Sequence, residues 1–212
     1  MKKTFVKTVV YTLCLIASAV LIVIALFSMF APGRMANLSY KLGDKRTCVW
    51  YTQKEYEKNG SINTLDKLLY RVKWLGNNKL IVKYSKEMIE SGDFDDFCKK
   101  KDAESDLADA GGYRDYICGD YVVALYDTGE KEQAMDFASD VIVGESEYGE
   151  YNVYRSLLYH VAEERDTETL KTMIDKLGGF IAPGVLKDDT LALEDKQLFT
   201  DLLNKLTGET NE

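Results

Sequence analysis

From Thr8 to Gly33 the chain carries no charged side chain, and Val9 to Phe30 is a nearly continuous apolar run. As a helix that run is about 33 Å long, enough to cross a hydrocarbon core of about 30 Å. It is also longer than the apolar region of a cleaved signal peptide, and Pro32 after Ala31 makes the nearest small-residue site a poor one for cleavage. The pattern predicts an uncleaved membrane anchor over residues 8–31, behind a short tail, residues 1–7. Lys2, Lys3 and Lys7 precede the run; Arg34, Lys41, Lys45 and Arg46 follow it. That flanking charge is nearly balanced, and a short lysine-tagged tail is expected to stay in the cytoplasm, leaving the rest of the chain extracytoplasmic.

The pattern then changes. Residues 32–46, with Gly43 and scattered charges, are expected to form a tether. Beyond them apolar residues recur at intervals of three and four, the spacing of a helix with one buried face. The predicted seams are Leu65, Leu68, Leu69 and Val72; Ile81, Tyr84 and Met88; and Ile117, Tyr121, Ala124 and Leu125. Ala134, Phe137, Ala138 and Val141 follow, then Tyr154, Leu157, Leu158 and Val161, then Leu170, Met173, Ile174 and Leu177. The last seam is Leu198, Phe199, Leu202, Leu203 and Leu206. The only prolines are Pro32 and Pro183, both where a helix should stop, so the fold class is all-α.

The turns between these seams repeat. Gly92 and Gly129 are 37 residues apart and Gly129 and Arg165 are 36 apart, with a weaker copy at Gly60. Periods near 34 residues mark stacked helix-turn-helix units, in which each pair covers the apolar face its neighbour cannot bury alone. Residues 47–206 are therefore expected to be a short α-solenoid of helical hairpins. Gly178-Gly179 and Ala182-Pro183-Gly184 mark a loop, a final helix from about Leu191 to Leu206 is expected to cap the stack, and 207–212 is a polar tail.

The stretch Ala124–Ala138 (ALYDTGEKEQAMDFA) resembles the turn and second helix of a tetratricopeptide repeat. Gly129 matches the turn glycine and Ala134 the small residue that lets the helices pack closely. The other copies depart from this pattern, with Phe97 and Leu170 at the alanine position and Arg165 at the glycine. The resemblance implies a concave surface, lined by the first helix of each pair, that holds a peptide or a partner helix. Counting back from the turns puts Lys79 and Lys86 there in the second pair, Tyr116 and Tyr126 in the third, and Asn152, Arg155 and Tyr159 in the fourth. Basic and aromatic side chains suit an acidic or aromatic-rich segment.

Charge narrows the partners. The formal net charge is −8, and beyond the three N-terminal lysines the chain carries −11. Nonspecific nucleic-acid binding needs basic residues to neutralise phosphates, so no nucleic-acid partner is expected. Four cysteines at wide spacing, with no CxxC pair, form neither a disulfide framework nor a zinc site. Cys98 and Cys118 lie in successive helices and are candidates for a disulfide if the domain is extracytoplasmic. Asn37-Leu38-Ser39 and Asn59-Gly60-Ser61 are glycosylation sequons. The run from Asp93 to Glu104 echoes a calcium loop but puts Phe97 and Cys98 where an oxygen ligand and a glycine are required. His160, the one histidine, lies within a helix, and no catalytic motif accompanies it. The expectation is a membrane-anchored scaffold that binds a protein or peptide, without catalysis, metal or cofactor. Two other readings stand beside it: a membrane-complex subunit that makes contact through its anchor helix, and a thiol-redox protein using Cys98 and Cys118.

Overall fold

The computed structural model describes residues 2–104, 112–143, 148–180 and 189–208. Side chains are described for these except 2–5, 28, 142, 143, 148–152, 177–180 and 189–195. The described residues are helical, with no strand among them. They divide into two compact units, Met1–Gly76 and Asn77–Glu212.

The first unit holds α1 (Lys2–Phe30), α2 (Pro32–Lys41), α3 (Lys45–Asn59) and α4 (Ile62–Leu75). Within α1, Val6–Phe27 is a 22-residue stretch of mean hydropathy 2.8, long and apolar enough to cross a membrane, and none of its most apolar window is buried. The segment expected as a tether is helical from Pro32 on and packs against α3. Proline is well suited to a first helical position, where its missing N–H costs nothing. Pro32, Ala36 and Ser39 form the buried face of α2. A Cβ on Gly33 would lie 2.4 Å from the Glu55 carboxylate, so this glycine lets an anion from α3 close on the start of α2.

Asp44 starts α3 by accepting a hydrogen bond from the Thr47 backbone N–H at 3.1 Å. Lys45 Nζ donates to the Trp74 carbonyl at 2.7 Å, satisfying the end of α4. The seam expected in α4 is buried in full: Leu65, Leu68, Leu69 and Val72 are all within 2% of complete burial. Among them sits Arg71, whose guanidinium donates to Thr52 Oγ1 and Asn37 Oδ1, both at 2.6 Å. One planar cation thus ties α4 to α3 and α2 through neutral oxygens.

The second unit holds α5 (Asn78–Ile89), α6 (Phe94–Glu104), α7 (Gly112–Asp127), α8 (Lys131–Val143), α9 (Tyr148–Glu163), α10 (Thr167–Phe180) and α11 (Asp189–Thr207). Helix α7 is central and packs against α5, α6, α8 and α9. Its buried residues, Ile117, Cys118, Gly119, Tyr121, Val122, Ala124, Leu125 and Tyr126 among them, run round its circumference, as a helix enclosed by neighbours requires. Helix α9 packs in turn against α7, α8, α10 and α11. Where α7 and α9 cross, a Cβ on Gly119 would lie 3.4 Å from Ser156 Oγ.

Two further expectations change. Gly178 and Gly179 lie inside α10 rather than in a loop, while Ala182-Pro183-Gly184 falls outside the described residues. In α11, Phe199 is fully buried, but Leu198, expected on the same seam, is half exposed. The neighbouring positions Leu202, Leu203 and Leu206 are only partly covered, so this helix buries a narrower stripe than its apolar pattern allows.

Candidate functional site

The turns between helices are the most regular feature of the second unit. At α7–α8, Gly129 N–H bonds to the Tyr126 carbonyl and Glu130 N–H reaches back to Leu125 at 2.9 Å. At α9–α10, Arg165 bonds to Ala162 and Asp166 reaches back to Val161 at 3.2 Å. Every position is shifted by 36 residues, and both turns have the paired bonds of a Schellman cap. Gly129 has φ 89° and Arg165 φ 57°. The same bonds recur at α2–α3, where Gly43 has φ 74° and Asp44 N–H reaches Ser39 at 3.0 Å. Gly92 does not take the left-handed conformation, so its sequence alignment with Gly129 has no geometric counterpart.

Around the α9–α10 turn the side chains converge on Asp166. Its carboxylate accepts hydrogen bonds from Tyr126 Oη at 2.8 Å, Thr169 Oγ1 at 2.7 Å and Thr169 N–H at 3.1 Å, and pairs with Lys131 Nζ. Burial alone would raise its pKa. The bonds from Lys131, Thr169 and Tyr126 outweigh burial and hold the carboxyl well below its ordinary range. Tyr126 is pushed the other way, first by burial and then by the adjacent Asp166 carboxylate. Beside this cluster, His160 Nε2 lies 2.7 Å from Asp127 Oδ1, and Asn78 Nδ2 donates to Asp127 Oδ2 at 2.8 Å. The His160 ring meets Tyr126 edge-on at 5.4 Å. These groups tie α5, α7, α8, α9 and α10 together at one set of helix ends. The bonding of Asp166 accounts for its charge without any substrate.

The residues expected to line a partner groove separate into three groups. Tyr116 and Tyr159 are 44% and 43% exposed, on α7 and α9. Lys79 and Lys86 are exposed on α5, with Lys86 3.8 Å from Glu90, and Arg155 is half-buried on α9. Tyr126 does not belong with them: it is 7% exposed and its hydroxyl is committed to Asp166. It sits in the last turn of α7, where the chain folds back, so its ring is covered by the next hairpin. The side chain of Asn152 lies outside the described residues.

Cys98 and Cys118, the pair considered for a disulfide, are both buried, in α6 and α7. Burial pushes the Cys48 thiol up, which makes it a poor nucleophile. Among the described residues no three His, Cys, Asp or Glu side chains are grouped to hold a metal ion.

What the sequence reading missed is a division of charge. Residues 32–76 hold nine Lys or Arg against four Asp or Glu, a net +5. With the three N-terminal lysines the first unit carries +8, so the second carries −16. Counting everything after the anchor as one acidic domain averages the two away.

The chain is thus an all-helical protein with an apolar N-terminal helix long enough to span a membrane. No protein-family model, curated protein or solved structure matches it.

Proposed function

We propose that this chain is a membrane-anchored helical-repeat scaffold that binds a protein or peptide partner on the exposed faces of α5, α7 and α9. In this reading α1 stays as an anchor, with its lysine-tagged tail in the cytoplasm. The hairpins α7–α8 and α9–α10 are two copies of a tetratricopeptide-like unit, and α11 covers the end of the stack. The single observation that carries the reading is the pair Tyr116 and Tyr159. Both are more than two-fifths exposed, although they project from adjacent helices that pack directly on each other. Tyrosine brings a large, rigid contact surface and a polar tip, a combination enriched at protein interfaces. The 36-residue correspondence of the Gly129 and Arg165 turns supports the repeat. No chemical step is assigned to the chain.

The test is capture of partners from native membranes by full-length protein and by a variant carrying Arg155→Ala with Tyr159→Ala. The proposal predicts that partners recovered by the parent are lost while the protein stays folded, its melting transition lowered only by the lost Tyr159–Phe199 ring contact. Equal recovery by both proteins contradicts it.

A second reading is favoured by α1 itself, which is exposed along its described length. There the chain is a subunit of a membrane complex that makes contact through α1. Replacing Val9–Phe30 by a scrambled apolar sequence separates the two, because a scaffold on a plain tether keeps its partners and a helix-contact subunit loses them.

A further inference from the structure

We propose that the exposed face of α3 carrying Trp50, Lys54 and Lys58 docks on the anionic headgroup layer of the bilayer into which α1 inserts. This rests on the reading of α1 as an anchor and adds a second membrane contact to it.

Three observations carry it. The first is position. Lys58 Nζ lies 3.5 Å from the Phe30 carbonyl oxygen, so the C-terminal end of α3 sits where α1 ends. Only Ala31 separates α1 from α2, which leaves no slack to carry the unit away from the bilayer surface. The second is chemistry along one helix face. Trp50, Lys54 and Lys58 are spaced by four residues and extend over about 12 Å of helix. All three are exposed, Trp50 at 50%, and Lys54 Nζ, which pairs with the exposed Glu57 carboxylate at 2.8 Å, stands 5.9 Å from the Trp50 ring centre. Tryptophan prefers the headgroup level, and lysine reaches from apolar contact to phosphate. The third is charge. Residues 32–76 are net +5 in a chain that is −8 overall, so basic residues are concentrated in the segment that leaves the membrane. Each basic side chain is attracted to an anionic surface within a Debye length of about 8 Å at physiological salt.

An acidic protein surface, including a second copy of this chain, would also complement the patch. The Lys58–Phe30 contact favours lipid, because it holds the Lys58 end of the patch where α1 ends whether or not any partner is present.

The experiment uses the full-length chain in vesicles of phosphatidylcholine alone, or with a third phosphatidylglycerol, each containing a headgroup spin-labelled lipid that quenches tryptophan. Retention after an alkaline wash reads the anchor separately. The inference predicts retention in both vesicles. With Trp74 replaced by Phe so that Trp50 is the one emitter, it also predicts stronger quenching in the anionic ones, weakened by high salt. Lys54→Glu with Lys58→Glu lowers the docked-to-undocked ratio by roughly tenfold or more. Lys54→Gln with Lys58→Gln, which introduces no repulsion, lies between that variant and the parent. Retained protein whose Trp50 is quenched equally weakly in both lipids overturns the inference and leaves the anchor standing. Retained protein that instead crosslinks to a second copy through Lys54 or Lys58 overturns it in favour of self-association. Loss of the protein in the wash overturns the anchor, and this inference with it.

Discussion

Arg165 adopts at the α9–α10 turn the left-handed backbone that Gly129 adopts 36 residues earlier, with the same pattern of backbone hydrogen bonds around it. Glycine does this without strain. A residue with a Cβ pays about 1 kcal/mol or more. Arg165 is exposed, so its side chain contributes little packing in return. Arg165→Gly should therefore raise stability by about 0.5–1 kcal/mol, and Gly129→Ala should lower it by about 1 kcal/mol. Thermal unfolding of both variants checks the pair, and a destabilised Arg165→Gly would mean that the side chain has a role the turn does not reveal.

Asp166 should be the most sensitive polar residue of the second unit. Asp166→Ala removes the acceptor for Lys131, Thr169 and the buried Tyr126 hydroxyl together. The expected loss is about 2–3 kcal/mol, a helix cap plus an unsatisfied buried donor. The pH dependence has a defined sign. The folded carboxyl is held below its ordinary 3.8, so it contributes stability above that value. The contribution declines as pH falls below 3.8 and is gone once pH falls through the depressed folded value. Denaturant titrations of parent and Asp166→Asn at pH 7 and pH 3 should show the difference between them shrinking in acid.

Gly119 separates two costs that usually coincide. Gly119→Ala adds a methyl 3.4 Å from the rotatable Ser156 hydroxyl and gains helix propensity, so it should be neutral or stabilising by up to about 1 kcal/mol. Gly119→Leu should force α7 and α9 apart and cost about 1–3 kcal/mol. Equal effects from the two substitutions would contradict the close crossing.

Arg71 should matter through its shape as well as its charge. Arg71→Lys keeps the charge but loses the planar fork that reaches Asn37 and Thr52 together, so it should destabilise the first unit by about 2 kcal/mol. Hydrogen exchange localises the effect. Protection should fall within residues 32–76 and stay unchanged in α7 to α10.

Much of the helical layout was legible because burial follows period. Tyr154, Leu157, Leu158 and Val161 announce α9, and all four are fully buried. The Gly129 turn was legible from its glycine. That Arg165 shares its geometry could be suspected only from the 36-residue spacing, since arginine disguises a glycine position. Helix α2 was missed because Pro32 and Gly33 read as breakers, although proline starts a helix as readily as it ends one. The Asp166 cluster was invisible because Tyr126 and Lys131 lie 40 and 35 residues from it, beyond any local pattern. The basic balance of residues 32–76 was fully present in the sequence and lost only by averaging across two units.

The most direct test of the scaffold is site-specific photocrosslinking in native membranes. A photoreactive phenylalanine replaces Tyr116, Tyr159 or, as a control on the exposed face of α10, Lys171. The account predicts a discrete protein adduct of the same mass from positions 116 and 159 and none from 171. No protein adduct from 116 and 159, or equal labelling from all three positions, would contradict it.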